Sequence, residues 1–341
     1  MSQTVQADAL SIRALTRDDL AAVVQIDAAI EGRSRRDYVE RRLAAAVREP
    51  ELHAQFAACD QDGLAGYILA RVLEGEFGRS EPSLRLELVG VRADARGRHG
   101  GTKLFQALAG WARRHGIRDV HTTASWRATG MLPWLAAVGF RLAPACVLQA
   151  GVDEATRQPQ AEEAVTLARG HGPGAEIDFG ATTANDNERM ALERPEVRAM
   201  RPEDLREIVR IDHAITGRDR SRYMEGRLAE AMHDSAIRVS LAARVDGAIA
   251  GFVMARADLG DFGRTEPVAV LDTIGVAPDK GRSRIGRALL RQLFANLAAL
   301  QVERVETLVP YDNLPLLAFF QRNGFRPSQR LPFTCRLDAA G

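Results

Sequence analysis

The sequence lacks several features that would place it in a broad class at once. No apolar run approaches transmembrane length, so we expect no membrane partner. The formal net charge is only +1, which gives no electrostatic reason to expect nucleic acid as a partner. Three cysteines, Cys59, Cys146 and Cys335, are scattered without metal-ligand spacing, which predicts reduced thiols and no metal site. The first residues contain neither a basic start nor a continuous apolar segment, so we expect no signal peptide and a cytoplasmic protein.

The chain contains an internal duplication with a constant offset. At 341 residues it is too long for one ordinary core and predicts two domains with a connector. The segment IDAAIEGRSRRDYVERRLAAA begins at Ile26, and its counterpart IDHAITGRDRSRYMEGRLAEA begins at Ile211, so the offset in numbering is 211 − 26 = 185. We therefore expect two copies of one domain, at 9–150 and 195–341. Residues 151–194 are rich in Gly, Pro and charge and are predicted to be an irregular linker.

Each copy shows the same alternation of strands and helices. A short strand precedes two helices, three strands follow, and a basic turn leads into a long amphipathic helix. A further strand, a short helix and a terminal hairpin complete the copy. The long helix of the second copy carries apolar residues at helical spacing, namely Ile285, Leu289, Leu290, Leu293, Phe294 and Leu297. The pattern predicts a mixed α/β domain of about 140 residues in each copy.

Both long helices begin at a turn that is rich in glycine and basic residues. The turns contain Arg96, Gly97, Arg98, His99, Gly100 and Gly101 in the first copy, and Gly281, Arg282, Arg284, Gly286 and Arg287 in the second. The first amide hydrogens of a helix lack partners within it, and small residues and positive charge around them suit a bound pyrophosphate. A turn that only caps its helix is the alternative. A dinucleotide-binding dehydrogenase fits less well, because neither copy has the acidic residue that should end a βαβ unit.

This order of elements, with a Gly-Phe pair near the end of each copy, resembles the GNAT superfamily of acyl-CoA-dependent N-acetyltransferases. The resemblance covers both copies and fails only in the linker. The family's turn motif is Arg or Gln, two residues, Gly, one residue, then Gly or Ala. Arg96 and Gly101 match it in the first copy, where His99 replaces the first Gly; Gly286 closes it in the second, where Arg284 replaces that Gly. The resemblance implies two tandem α/β (mixed α+β) domains, each a mixed, mostly antiparallel twisted sheet flanked by helices.

The resemblance also implies acetyl-CoA as the cofactor, lying where two neighbouring strands part. A side chain at the first-Gly position either crowds the phosphates or supplies charge to them. The residues expected to hold the cofactor in the second copy are Ile274, Val276, Arg282, Ser283, Arg284, Ile285, Gly286, Arg287 and Asn313. Those expected in the first copy are Val91, Arg96, Gly97, Arg98, Gly100, Gly101 and Thr102.

Carboxylates at matching strand positions are candidate catalytic bases. Glu87 and Asp272 are related by the same offset as the duplicated segments, and Glu266 in a preceding loop is a rival. An amine with a pKa near 10.4 must lose a proton before it attacks, so a base or a water chain is needed. For each carboxylate, a structural hydrogen bond to a loop is the alternative. The family's usual acid is a Tyr, but Leu135 and Phe320 occupy its position, and we expect direct transfer in a ternary complex without that phenol.

Basic and aromatic residues at the junction of the first two helices are candidates for binding the acceptor. They are Arg33, Arg35 and Tyr38 in the first copy and Arg218, Arg220 and Tyr223 in the second. A solvated helix start is the alternative. The second copy keeps the Val-Ala-Pro strand end and Asn313, so we expect it to be the catalytic one. The expected function is acetyl transfer to a primary amine of a small molecule or protein; the alternative is a catalytically silent acyl-CoA-binding or interaction module. The acceptor and the oligomeric state stay open.

Overall fold

The fold was analysed in a computed structural model. It describes residues 10–73, 81–153, 195–233, 239–258, 268–280 and 284–337. The elements of the first copy are β1 (Ser11–Ala14), α1 (Leu20–Glu31), α2 (Arg36–Arg48), β2 (His53–Asp60), β3 (Gly63–Leu73), β4 (Ser83–Val91), α3 (Gly100–Arg114), β5 (Asp119–Ser125), α4 (Met131–Ala137), β6 (Arg141–Leu142) and β7 (Ala145–Gly151). Those of the second are β8 (Glu196–Ala199), α5 (Leu205–Thr216), α6 (Ser221–His233), β9 (Leu241–Val245), β10 (Ala248–Asp258), β11 (Val268–Val276), α7 (Ile285–Ala299), β12 (Arg304–Pro310), α8 (Leu314–Arg322), β13 (Arg326–Pro327) and β14 (Arg330–Arg336).

Two mixed sheets organise the described residues, and each contains seven strands. The strand order is β1-β2-β3-β4-β5-β14-β6 in the first sheet and β13-β7-β12-β11-β10-β9-β8 in the second. Pairing is antiparallel except between β4 and β5 and between β11 and β12, which are parallel. The long helices α3 and α7 bury their apolar stripes on one face, while the first two helices of each copy pack on the other. The predicted tandem fold, with mostly antiparallel sheets flanked by helices, is confirmed.

The last strand of each copy belongs to the sheet of the other copy. β7 pairs with β12 from Arg304↔Gly151 to Pro310↔Ala145. β14 pairs in the same way with β5, and the short strands β6 and β13 flank the exchanged strands. The predicted terminal hairpin within each copy is therefore wrong. Alternating burial in a strand shows which face is covered but does not identify the partner strand.

The junction between the first two helices is set by a glycine in each copy. Gly32 follows α1 with φ +77°, and Gly217 follows α5 with φ +69°. Each is in the left-handed conformation that ends a helix, and each amide donates to the carbonyl four residues earlier, that of Ala28 or His213. The chain therefore reverses sharply, and the end of α1 points toward the edge of β4.

Candidate active site

The two parallel strands at the centre of each sheet pair over only a few residues and then separate. β4 and β5 are joined at Leu84↔Val120 and Arg85↔His121 and no further among the described residues. β11 and β12 are joined from Val268↔Arg304 to Val270↔Glu306. The predicted parting of these strands is thus present in both copies. It opens a fork in the middle of each sheet.

A threonine hydroxyl closes the base of each fork. The Oγ1 atom of Thr122 on β5 donates to the carbonyl of Leu86 on β4 at 3.0 Å. Thr307 donates to Leu271 in the second copy, also at 3.0 Å. All of these groups are buried, so the hydroxyl satisfies a strand carbonyl that would otherwise lack a partner. The fork is therefore a stable feature of the sheet and not a frayed strand end.

Beyond the fork in the N-terminal copy lies a cleft of about 780 Å³. Val89, Gly90 and Val91 line one wall, and Ala124 and Ser125 line the opposite one. The lining also includes the basic glycine turn at the start of α3 and the last residues of α1, a helix that packs on the opposite face of the sheet. A volume of this size is typical of a site for a small molecule or cofactor.

The glycine turn presents the start of α3 to this cleft. His99, at the position where the family motif has its first Gly, adopts the left-handed conformation with φ +58°. Its side chain does not cap the helix, so the first amide hydrogens of α3 have no acceptor from that residue. Trp134 lies over Gly101, where a methyl group would be 2.7 Å from the indole nitrogen. The guanidinium Nε of Arg96 donates to the carbonyl of Val91 at 3.3 Å.

Most cofactor residues predicted for the first copy meet at this cleft. Its lining includes Val91, Arg96, Gly97, Gly100, Gly101 and Thr102. Arg98 is not among the lining residues; its guanidinium lies 3.9 Å from Asp60 and is about half exposed. The residues that meet here come from three separate elements, β4, the turn and α3. An extended ligand such as a cofactor needs contacts from several elements along its length, and this cleft supplies them.

In the second copy, the described residues include only part of the predicted cofactor site. Arg282, Ser283 and Glu266 lie outside the described residues. Ile274 and Val276 pack partly buried against the core, Ile285 is completely buried, and Arg284 is exposed with φ −71°. Gly286 is buried beneath the ring of Phe319, Arg287 is half-buried, and the side chain of Asn313 caps α8 by accepting from the amide of Leu316 at 3.2 Å. The two turns therefore differ in shape at the first-Gly position.

The candidate bases on the sheets lie at matching bulges. Glu87 is the extra residue where the β3–β4 register shifts, and Asp272 is the extra residue in β11. Both are buried, and each lies between two arginines of its own copy. Glu87 contacts Arg42 and lies 3.6 Å from the Nε of Arg71.

Asp272 has the corresponding environment in the second copy. Both of its oxygens accept from the Nη1 of Arg256, at 2.8 and 2.7 Å, and Arg227 lies 3.9 Å away. Two guanidiniums beside a buried carboxylate stabilise its charged form, and the hydrogen bonds from Arg256 engage both oxygens of Asp272. This arrangement favours a structural contribution from Glu87 and Asp272, and their assignment as bases stays a prediction.

A second cavity, of about 80 Å³, lies between the two sheets and is lined by both copies. Arg85 and His121 contribute from the first copy, and Asp272 and Glu306 contribute from the second. Asp272 therefore borders a space whose described lining does not include Glu87.

At the helix junction of the first copy, one of the two predicted acceptor-binding arginines is buried and the other is exposed. Arg35 is only 6% exposed and donates to Asp27 through Nε at 2.8 Å and Nη2 at 2.5 Å. Tyr67 donates to the same carboxylate at 2.8 Å. Burial and then the charge of Asp27 raise the pKa of Tyr67 well above its usual value. Arg33, in contrast, is exposed and is not among the residues that line the cleft.

The second copy has a less complete version of this network. Arg220 is buried and donates to Asp212 through Nη1 at 3.0 Å. Burial, opposed by Arg220, raises the pKa of Asp212. Phe252 occupies the position equivalent to Tyr67, so the phenol donor is missing. Tyr223 is buried under the Arg220 guanidinium at 4.7 Å, Tyr38 is buried in the first copy, and Arg218 is exposed.

The rings of Tyr67 and Phe252 pack so closely against the neighbouring central strand that each requires a glycine there, Gly90 on β4 and Gly275 on β11. A methyl group at Gly90 would lie 2.6 Å from the ring of Tyr67, and one at Gly275 would lie 2.7 Å from Phe252. Only glycine lets the ring cross the strand at that point. The aromatic ring, the buried ion pair and the wall of the cleft are thus tied to one another.

Sequence reasoning missed several residues at the site. They are Asp27, Ile30, Glu31, Arg42, Tyr67, Arg71, Arg127 and Trp134. The constant offset between the copies could have revealed Asp27, Arg42 and Arg71, because each has an identical counterpart in the second copy. No signal in the sequence marks Glu31 or Trp134, whose counterparts are Thr216 and Phe319.

No described helix is both long and apolar enough to cross a membrane. Within the described ranges, no three His, Cys, Asp or Glu side chains are grouped to hold a metal ion. Cys59, Cys146 and Cys335 form no disulfide bond, and none of them lines the cleft.

Comparison with known proteins identifies relatives of each copy. The model of the acetyltransferase (GNAT) family matches residues 20–140 and 203–325, together more than half of the chain. Two mycothiol acetyltransferases are similar over 114 residues: that of Clavibacter michiganensis subsp. michiganensis is 33% identical, and that of Clavibacter sepedonicus is 34% identical. In both cases the match covers 33% of this chain and 35% of the relative. The chain thus spans about a third of the length of these curated relatives.

Solved structures share the complete two-copy fold. A tandem GNAT protein from the clavulanic acid biosynthesis pathway superposes with a TM-score of 0.63 at 17% identity, covering 98% of this chain and all of that one. A GCN5-related N-acetyltransferase from Sphaerobacter thermophilus gives 0.56 at 18% identity, covering 97% of each chain. At these identities the likeness concerns the fold alone. The predicted duplication and resemblance are confirmed.

Proposed function

Because the chain belongs to the GNAT family of acetyltransferases, we propose that it moves an acetyl group from acetyl-CoA to a primary amine. Transfer is direct, within a complex of both substrates, and the cleft of the N-terminal copy holds the cofactor. The similarity to mycothiol acetyltransferases supports acetyl transfer as the activity. The acceptor is a small molecule or a protein amine.

One observation carries this proposal. The fork between β4 and β5 and the basic turn at the start of α3 open into the same cleft. The turn offers Arg96, His99 and the first amides of α3 for phosphates, and the fork offers unpaired strand edges for an extended arm. The residues therefore fit an acyl-CoA, which would supply the activated acetyl group.

The residues of the chain contribute mainly positioning and electrostatics. Beyond the fork, strand amides of β4 between Val89 and Val91 are available to a carbonyl oxygen that gains negative charge. Positioning two reactants in this way can supply about 7–11 kcal/mol of the barrier. Because no cysteine lines the cleft in the described part of the chain, an acyl-cysteine intermediate has no support.

A catalytically silent acyl-CoA-binding module is the second candidate. Leu135 and Phe320, at the family's tyrosine position, are both completely buried and supply no phenol at either site. The missing phenol would protonate the departing thiolate of CoA. Because a thiolate can leave without being protonated more readily than an alkoxide can, the lack of this acid alone does not prevent turnover. The sequence-based expectation that the C-terminal copy is catalytic stays an untested prediction. Our proposal instead places the reaction in the N-terminal copy, because the described cleft lies there, and the experiment below distinguishes the two.

Matched charge changes at the two helix starts distinguish these possibilities. Thr102 and Arg287 occupy equivalent positions in the two copies. Thr102→Glu and Arg287→Glu each place a carboxylate in the first helical turn, where negative charge suits the helix but repels phosphate. Calorimetric titration with acetyl-CoA then reports the affinity and the number of sites in each variant.

We expect Thr102→Glu to weaken binding at least tenfold and Arg287→Glu to leave the N-terminal site intact. The reverse pattern would place the cofactor in the C-terminal copy. Transfer of label from acetyl-CoA to a panel of primary amines tests the chemistry. Binding without transfer to any amine would support the silent module, and absence of binding would refute both.

A further inference from the structure

The cleft of the N-terminal copy is lined by opposite charges that come from opposite faces of the sheet. Arg96, His99 and Arg127 lie near the starts of α3 and α4. The acidic end of the lining is formed by Ile30 and Glu31, the last residues of α1, which packs on the sheet face opposite α3. Among the described residues that line the cleft, Glu31 is the single acidic side chain. The cleft can therefore orient a ligand pair that is anionic at one end and cationic at the other.

The position of Glu31 strengthens the negative character of that end. Glu31 is the last residue of α1, where the final carbonyls of the helix carry a partial negative charge. Its side chain keeps 18% exposure, so it is shielded yet reachable from the cleft. A carboxylate at a helix C-terminus is unfavourable for the helix itself, which favours a role in binding a cation.

A purely structural role, as a partner of Arg35, explains Glu31 poorly. The two groups are 3.7 Å apart, beyond good hydrogen-bond distance. Arg35 already makes two hydrogen bonds to Asp27, at 2.8 and 2.5 Å. The hydrogen bonds to Asp27 are therefore enough to position the arginine, and Glu31 adds only a longer ion pair to it.

The second copy provides an internal comparison. Its equivalent ion pair, Arg220 with Asp212, forms although the residue at the position of Glu31 is Thr216. The hydroxyl of Thr216 donates back to the carbonyl of Asp212 at 2.8 Å. The buried pair thus does not depend on an acid at this position, and the acid is specific to the copy with the described cleft.

We propose that Glu31 binds the ammonium group of the acceptor, and that the N-terminal copy consequently selects a cationic primary amine. This inference rests on the proposed function, because it assumes an acyl-CoA in the same cleft. The carboxylate holds the amine at the fork end, across the cleft from the phosphate-binding turn. Neutral acceptors of the same size lack this interaction.

The test uses two thioether analogues of the cofactor, S-(2-aminoethyl)-CoA and S-propyl-CoA. Their tails have similar size, but the first carries an ammonium group at neutral pH. Calorimetry on the full chain compares their affinities for the unmodified protein, Glu31→Gln and Glu31→Thr, the last copying the second copy. Thr102→Glu serves as the control that assigns the signal to the N-terminal cleft.

We expect the unmodified protein to prefer the ammonium analogue roughly tenfold, as a charge-assisted hydrogen bond predicts. Both Glu31 variants should bind the two analogues equally, with the affinity for S-propyl-CoA unchanged. General damage to the fold would lower both affinities together. Equal binding by the unmodified protein, or a preference that survives in Glu31→Gln, would overturn the inference. Failure of both analogues to bind would instead refute the proposed function and with it this inference.

Discussion

Because the last strand of each copy belongs to the sheet of the other copy, a substitution near the end of the chain should lower the stability of the first copy. Phe333 on β14 is 9% exposed and packs in the core formed by the first copy's sheet and α3. Leu148 on β7 occupies the equivalent position of the first copy's sequence and packs in the core of the second copy. Phe333→Ala and Leu148→Ala form a matched pair.

The expected magnitude follows from the side chains removed. Truncation of a buried Phe costs about 3–5 kcal/mol, and that of a buried Leu about 2–5 kcal/mol. Since Phe333 keeps some exposure, we expect about 3 kcal/mol. Some amide hydrogens exchange with solvent only when the whole copy that contains them unfolds. For these amides, a decrease of about 3 kcal/mol in the free energy of unfolding accelerates hydrogen exchange roughly 100-fold.

Hydrogen exchange read out by mass spectrometry measures this directly. Phe333→Ala should accelerate exchange in α3 and β5 of the first copy, while α7 and β12 keep their protection. Leu148→Ala should do the opposite. If each substitution instead loosened the copy that contains it in sequence, the exchanged topology would be refuted.

Three further predictions concern individual side chains. Thr122→Val should lower the free energy of unfolding by about 1–3 kcal/mol, because a buried strand carbonyl at the fork loses its donor; urea titration measures the change. Tyr67→Phe should cost about 1 kcal/mol, and Phe252→Tyr should gain a similar amount by completing the equivalent network, again by urea titration. The hydrogen bond from Arg13 holds the pKa of Asp19 below its usual value. Asp19→Asn should therefore cost about 1 kcal/mol at pH 7, and the difference should begin to shrink below about pH 4 and disappear only once the pH has fallen through the lowered pKa of the folded state.

Each of these has a contrary outcome. An unchanged urea midpoint for the valine variant would mean that water satisfies the carbonyl at the fork. If the tyrosine introduced at position 252 destabilised the second copy, the two networks would not be equivalent. A carboxyl whose pKa is lower in the folded state contributes its full stabilisation above the unfolded pKa and loses it as the pH falls through the folded pKa. A pH-independent loss in the asparagine variant would therefore contradict the ion pair as its source.

Element order and the duplication were predictable because they depend on local patterns. Apolar spacing marks helices and strands, and a constant offset between matching segments shows that the pattern is repeated. The partner of β7 was not predictable in this way. Its alternating burial fits any sheet with an apolar face, and the strand that completes the opposite copy, β14, alternates similarly.

The site was partly predictable for the same reason. The glycine turn gave most of the lining of the first cleft, since its residues are contiguous. Burial of Arg35 was not foreseen, because an arginine after a helix-ending glycine is ordinarily exposed, and only its contact with Asp27 explains the burial. Glu31 reaches the cleft because Gly32 ends the helix there, which is a property of the fold.

The central claim is that the N-terminal fork and its basic turn hold an acyl-CoA. A crystal structure of the chain with acetyl-CoA tests it most directly. The account predicts density for the pantetheine arm between β4 and β5 and for the pyrophosphate at the first amides of α3. Cofactor bound elsewhere on the chain, with this fork left unoccupied, would contradict it.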